Sequence, residues 1–258
     1  YYMRIFNVKK IELMFKKLIL SERQSLKRRS LRFYNKPVEP EIRLLDKLVN
    51  NSCASIDIGV YRGVYTYHLE KLSSHVYAFE ANTLIQSSLS KSFKGYNSIT
   101  LENLAISSST GTVNLKIPFR NSNLDYENPE EAYELGLATI HANNTLDSKD
   151  LYEIQVSKIR LDDYNFTHPI GFIKIDVEGH ELDVVRGAKK LIELYKPNLL
   201  IEIEERHTSL PTIRIINEIK NLGYSCYIVN KKNYALILID EKNIILYDNN
   251  NYIFIPIE

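Results

Sequence analysis

Ile173-Lys174-Ile175-Asp176-Val177-Glu178-Gly179-His180-Glu181, closed by Arg186-Gly187-Ala188, is the stretch on which the reading of the fold turns. An apolar, largely β-branched run ends abruptly in two carboxylates, a glycine and an imidazole. That is the pattern of a buried strand emerging from a core into a loop that carries charge. In open α/β sheets, ligands bind at such strand ends.

Working outward, strand-like runs at 54–58, 75–79, 99–106, 171–175, 198–202 and 225–229 alternate with helix-like segments, which predicts βαβ units and a mainly parallel sheet. Pro37 and Pro40 precede 41–49, where Ile42, Leu45 and Leu48/Val49 form an apolar stripe, so a helix covering the sheet is expected. The runs at 235–238 and 252–257 follow one another across the turn residues 248–251 with no helix between, which fits an antiparallel edge. Residues 118–150 interrupt the alternation with a polar, Asn- and Glu-rich stretch, the candidate lid over an acceptor.

A second loop, Asp57-Ile58-Gly59-Val60-Tyr61-Arg62-Gly63, follows the first strand and precedes a helix-like segment. Gly59 allows a tight turn and Gly63 a close backbone approach, so a ligand can lie across the loop above a helix N-terminus. Glu80 stands 23 residues after Asp57 at the end of the next strand, where a carboxylate can accept hydrogen bonds from both hydroxyls of a ribose. A pyrophosphate site prefers Gly-x-Gly-x-x-Gly, whereas this loop has two glycines and leads with an acid that suits a cationic ligand.

These segments, together with Lys158-Ile159-Arg160-Leu161-Asp162-Asp163-Tyr164 and Pro197 to Glu204, resemble the FkbM-type family of S-adenosylmethionine-dependent O-methyltransferases over most of residues 54–205. The resemblance implies an α/β class I methyltransferase (Rossmann-like) fold, with a seven-stranded, mostly parallel sheet of order 3-2-1-4-5-7-6. It implies S-adenosylmethionine as cofactor, held by Asp57, Gly59, Tyr61, Gly63, Glu80, Asn103, Ala105 and Asp176. Val60-Tyr61-Arg62 replaces the small or amide residues common in relatives, and His180 occupies a position that varies among them.

Methylation of a hydroxyl needs alignment of the two groups and removal of a proton. His180, four residues beyond Asp176, is the first candidate base, since imidazole titrates near neutrality, and Asp176 and Glu178 complete the catalytic set. Capping of a helix by His180 is the structural alternative. Glu204 follows Asp176 by 28 residues at the end of the next strand, so Asp176, Glu204 and Glu205 are expected to gather oxygen ligands for Mg²⁺ or Mn²⁺. Such an ion would hold the vicinal hydroxyls of a sugar. Without it, the same acids would hydrogen-bond those hydroxyls directly.

The 258 residues, 44% apolar and 25% charged, suit one globular α/β domain with an appendage, and two distant cysteines support neither a disulfide framework nor a zinc cluster. No apolar run is long enough to span a membrane and no signal peptide is visible, so a cytoplasmic location is expected. The charge is asymmetric: residues 1–36 hold 11 Lys/Arg against 2 Glu (+9), and the remainder 22 against 30 acids (−8). We therefore divide the chain into a basic amphipathic helical arm or linker (1–40) and a methyltransferase domain (41–258). The arm, with Ile11, Met14, Phe15, Leu18 and Ile19 at helical spacing, could meet a membrane surface or a neighbouring domain and should be dispensable for chemistry. A small-molecule or glycan acceptor and no nucleic acid are the expected partners. A non-sugar acceptor, a nicotinamide-dependent oxidoreductase and a noncatalytic scaffold are the alternatives.

Overall fold

A computed structural model describes residues 20–37, 39–118, 135–141, 151–208 and 210–257. The first elements in the chain are α1 (Glu22–Asn35), α2 (Leu45–Leu48), β1 (Ala54–Ile58), α3 (Val64–Leu69), β2 (Val76–Phe79), α4 (Thr83–Ser92) and β3 (Ile99–Glu102). Three strands follow, β4 (Ala105–Ile106), β5 (Gly111–Pro118) and β6 (Leu151–Ile159), before β7 (Ile170–Ile175), α5 (Glu181–Gly187), α6 (Lys189–Tyr195) and β8 (Asn198–Glu202). The chain closes with α7 (Thr212–Lys220), β9 (Tyr224–Val229), β10 (Leu236–Leu238) and β11 (Asn251–Pro256).

The main sheet has the order β10-β9-β11-β8-β7-β1-β2-β3. Strands β3, β2, β1, β7 and β8 are parallel, and β11 lies antiparallel between β8 and β9. This is the class I methyltransferase-like arrangement with a correction: among the described residues the main sheet has eight strands, not seven. A turn at 230–235 folds the apolar residues Leu236–Leu238 back onto β9, so this added strand forms the antiparallel edge and β11 lies inside the sheet. A second correction concerns 99–106, which breaks at Asn103-Leu104. Its last two residues join a separate sheet, β4-β6-β5.

Side chains alternate across the main sheet as a pleated strand requires. Ile56, Ile58, Ile173, Ile175, Leu199 and Ile201 pack with residues of α5, α6 and α7. Phe172, Leu200, Val76 and Ile253 pack on the other face with Ile42, Leu45, Leu48, Tyr65 and Leu69. The expected 41–49 helix is a 3₁₀ turn over Pro40–Leu44 followed by the single turn of α2. Glu41 in that turn is fully buried, and burial pushes its carboxyl up to about 7. A raised folded-state value means that its stabilisation is complete below the ordinary glutamate range and is lost as pH rises through about 7. Thermal melting should therefore fall between pH 5 and 8, and Glu41→Gln should flatten that decline. An unchanged slope would remove Glu41 as its source.

Helix α1 starts with a capping box, Ser21 Oγ accepting from the Gln24 backbone N–H at 3.3 Å and Gln24 Oε1 from that of Ser21 at 2.9 Å. It is packed on the body, with Leu26 buried among Val60, Tyr67 and Phe93. Residues 20–35 thus shield core that a chain starting near Glu41 would uncover. The amphipathic pattern of 11–19 and most of the 118–150 stretch lie outside the described residues. Among the described residues, no helix is long and apolar enough to cross a membrane.

Candidate functional site

The chain leaves the sheet twice at the same place. β1 and β7 run parallel with Asp57 beside Lys174 and Ile58 beside Ile175, and the Asp176 N–H continues the ladder by donating to the Ile58 carbonyl at 3.0 Å. On the loop after β1, Gly59 turns with φ +81°, and a Cβ there would stand 1.7 Å from the Asp176 carbonyl oxygen. Only glycine lets the two loops touch. Gly63, also left-handed, begins α3 beneath Phe93.

Glu80 at the end of β2 secures this loop. Its Oε2 accepts from the Tyr61 N–H at 2.8 Å and its Oε1 from the Asn82 N–H at 2.7 Å. Each oxygen keeps acceptor capacity for a further donor. Burial pushes the carboxyl up to about 7, against the pull of these two N–H groups. Asn103 Nδ2 donates to the Glu80 carbonyl at 2.8 Å and fixes the backbone behind it.

Between these loops lies a cleft of about 630 Å³, open to solvent. Ile58, Phe79, Leu104, Ala105, Ile106 and Leu115 give it apolar walls, and Gly59, Tyr61, Glu80, Asp176 and Glu178 supply its polar groups. Gly136, Ala138 and Ile140 close one side. That segment is tied down by an antiparallel bridge of Thr139 to Lys116 and by Thr139 Oγ1, which donates to the Glu178 carbonyl at 2.7 Å.

Glu178 has a left-handed backbone, φ 54°, uncommon for a residue with a side chain and a mark of sites held by their surroundings. Its Oε2 lies 3.0 Å from Nε2 of the buried His207, which is also 3.1 Å from Glu204 Oε2. Burial and the nearby Asp176, Glu181 and Glu204 push the Glu178 carboxyl up to about 8. Gly179, next in the chain, makes this docking possible, since a Cβ there would lie 2.1 Å from the His207 carbonyl oxygen.

Below the cleft, Lys174 is 4% exposed, with Nζ 2.8 Å from Asp176 Oδ2 and 4.7 Å from the Tyr65 ring centre. Burial works against its charge, yet Asp176, Asp57 and Glu39 raise its pKa above the ordinary lysine value. One buried ammonium therefore serves carboxylates on both loops.

The structure brings Gly59, Tyr61, Glu80, Ala105, Asp176 and Glu178 together in the cleft. It moves other expected residues out. Asp57 is fully buried behind its loop, where Oδ2 accepts from Thr66 Oγ1 at 2.5 Å, because strand alternation turns it toward α3. Asn103 and Gly63 act on loop shape and do not line the cleft. His180 stands at the N-terminus of α5, outside the residues that line the cleft, with its Nε2 2.9 Å from Ser107 Oγ, and burial pushes it down to about 4. The metal site is corrected too. Glu205 accepts from the Thr212 N–H at 2.9 Å at the start of α7, while Glu204 is engaged by Arg206, His207 and Asn250. Among the described residues, no group of three or more His, Cys, Asp or Glu is arranged to hold a metal ion.

Sequence reasoning gave no role to Lys174, His207 or Leu115, while the wall at 136–140 falls within the stretch expected to form a lid. The alternation of Val113, Leu115 and Ile117 with Asn114 and Lys116 was the available signal for β5.

The model of the methyltransferase FkbM domain matches residues 57–226, from the glycine loop to β9. The chain belongs to the FkbM methyltransferase family. Among solved structures it is similar to an FkbM methyltransferase of Methylobacillus flagellatus, at 16% identity and TM-score 0.51, over 86% of this chain and 49% of that one. It thus spans about half the length of that relative. A Streptococcus mutans methyltransferase in complex with S-adenosylhomocysteine is 13% identical at TM-score 0.40, covering 86% of this chain and 97% of its own. Among curated proteins, none matches. Membership makes this a methyltransferase-type fold.

Proposed function

We propose that this FkbM protein is an S-adenosylmethionine-dependent O-methyltransferase acting on a hydroxyl of a sugar or glycan. The observation that carries the reading is the pairing, in one cleft, of Glu80 beside the Gly59 cradle with Glu178 among the acids after β7. The first suits a nucleoside donor and the second suits a hydroxyl that must lose its proton.

The donor, when bound, supplies a methyl group on a positively charged sulfur. Glu80 would take the ribose hydroxyls on its remaining lone pairs, and the apolar residues Phe79, Leu104, Ala105 and Ile106 offer a flat site for an adenine. Asp176, steadied by Lys174, would attract the amino group. Glu178 would accept the hydroxyl proton of the acceptor, with the His207 imidazole 3.0 Å behind its Oε2 and Glu204 raising its proton affinity. The acids Asp176 and Glu178 at the cleft favour an acceptor rich in hydroxyl donors. No metal enters this reading.

Calorimetry with S-adenosylhomocysteine tests the donor half. Glu80→Ala should weaken binding by about 1 to 3 kcal/mol, the range for lost hydrogen bonds to a charged group. An unchanged dissociation constant in a folded variant would take Glu80 out of the site. Transfer of a labelled methyl group to a panel of glycosides tests the acceptor half, and label appearing only on amine acceptors would defeat O-methylation.

A further inference from the structure

Helix α1 turns toward solvent a face that the cleft does not use. Lys27, Arg28, Leu31 and Arg32 are exposed on the part of the helix away from buried Leu26 and Ser30, and Arg23 is exposed at the border of that face. Leu31 is 43% exposed beside Lys27, Arg28 and Arg32, and Glu22 is the one acid of the helix. The basic surface continues past the helix: Arg23 lies over the Tyr96 ring, next to exposed Lys91 and Lys94 at the end of α4. Arg29 donates to the Arg62 carbonyl at 2.9 Å, which joins the helix to the glycine loop beside Tyr61 at the rim of the cleft.

We propose that this face docks the protein on an anionic phospholipid bilayer, with the cleft rim at Tyr61-Arg62 held beside the headgroups. Lys and Arg side chains near an anionic leaflet contribute about 1 kcal/mol each, so five or six suffice for reversible attachment. An apolar residue among them can enter the headgroup boundary while the long basic side chains reach phosphate. The sequence just before the helix repeats this composition, with Ile11, Met14, Phe15, Leu18 and Ile19 among Lys9, Lys10, Lys16 and Lys17. A nucleic acid fits less well, because a polyanionic strand would have to enter a cleft walled by Glu80, Asp176 and Glu178. A bilayer stays outside it.

Vesicle flotation of the full chain tests this, comparing phosphatidylcholine vesicles with ones holding about 30% phosphatidylglycerol at an ionic strength of about 0.1 M. The protein should float with the anionic vesicles alone and detach at high salt. A variant carrying Lys27→Glu, Arg28→Glu and Arg32→Glu should bind at least tenfold more weakly, with melting temperature and S-adenosylhomocysteine affinity unchanged. Lys91→Glu with Lys94→Glu should give a smaller loss, and serves if the first variant does not fold. Failure of the parent protein to float, equal binding to neutral vesicles, or full binding by the reversed variants would overturn the proposal. Tighter binding to single-stranded RNA than to the anionic vesicles would overturn it as well. Since the readout is attachment, it is independent of the proposed chemistry.

Discussion

Lys174→Met should be among the most destabilising single changes in this protein, by about 3 to 5 kcal/mol, because it removes a buried cation that serves several carboxylates. At this chain length that corresponds to a fall in melting temperature of roughly 10 °C. The argument rests on geometry: Lys174 lies beside Asp57 in the β1–β7 ladder and holds Asp176 Oδ2 at 2.8 Å. With the ammonium gone, Asp57 remains fully buried with Thr66 as its hydrogen-bond donor. Its burial already raises its pKa, and Lys174 is the largest influence opposing that rise. Adding Asp57→Asn to the methionine variant should restore part of the loss, because the uncompensated charge goes with it. A single variant melting within about 2 °C of the parent would mean that these carboxyls become protonated at little cost and that Lys174 is dispensable.

That network shows where sequence reasoning reached its limit. The strands were legible because β-branched runs stop at acids and glycines, and the order of the central strands followed from the family pattern. The run at 235–238 was legible as an edge strand, though the seven-strand family pattern left it no place in the order, whereas the small sheet was not, since an alternation embedded in polar sequence is a weak signal taken alone. In the site, spacing identified the loops and left side-chain direction open. Asp57 and Glu80 both belong to the ends of adjacent parallel strands, yet alternation buries the first under α3 and leaves the second at the cleft. His180 was attractive for its place in the motif, but the backbone turn at Glu178-Gly179 carries it to Ser107. His207 was within reach of the same logic that paired Asp176 with Glu204 across β7 and β8, because it stands three residues beyond Glu204.

Glu178→Gln should lower turnover by about 10²- to 10⁴-fold, the usual contribution of a positioned general base, while leaving S-adenosylhomocysteine affinity nearly unchanged. Glu178 lines the cleft and the amide that replaces its carboxylate is close to isosteric, so a loss confined to turnover speaks for proton removal and not for packing. The pH dependence has a definite sign. Burial and neighbouring acids push Glu178 up to about 8, and only the ionised form can take a proton. Turnover of the parent enzyme should therefore rise with pH through about 8, and the glutamine variant should lack that step. His207→Gln should keep a donor near Glu178 but move the step, because the imidazole 3.0 Å from Oε2 helps to set where that carboxylate titrates. A glutamine variant at position 178 that turns over normally at saturating donor, with the pH step intact, would remove Glu178 as the base and leave Asp176 as the remaining carboxylate among the acids after β7 that line the cleft.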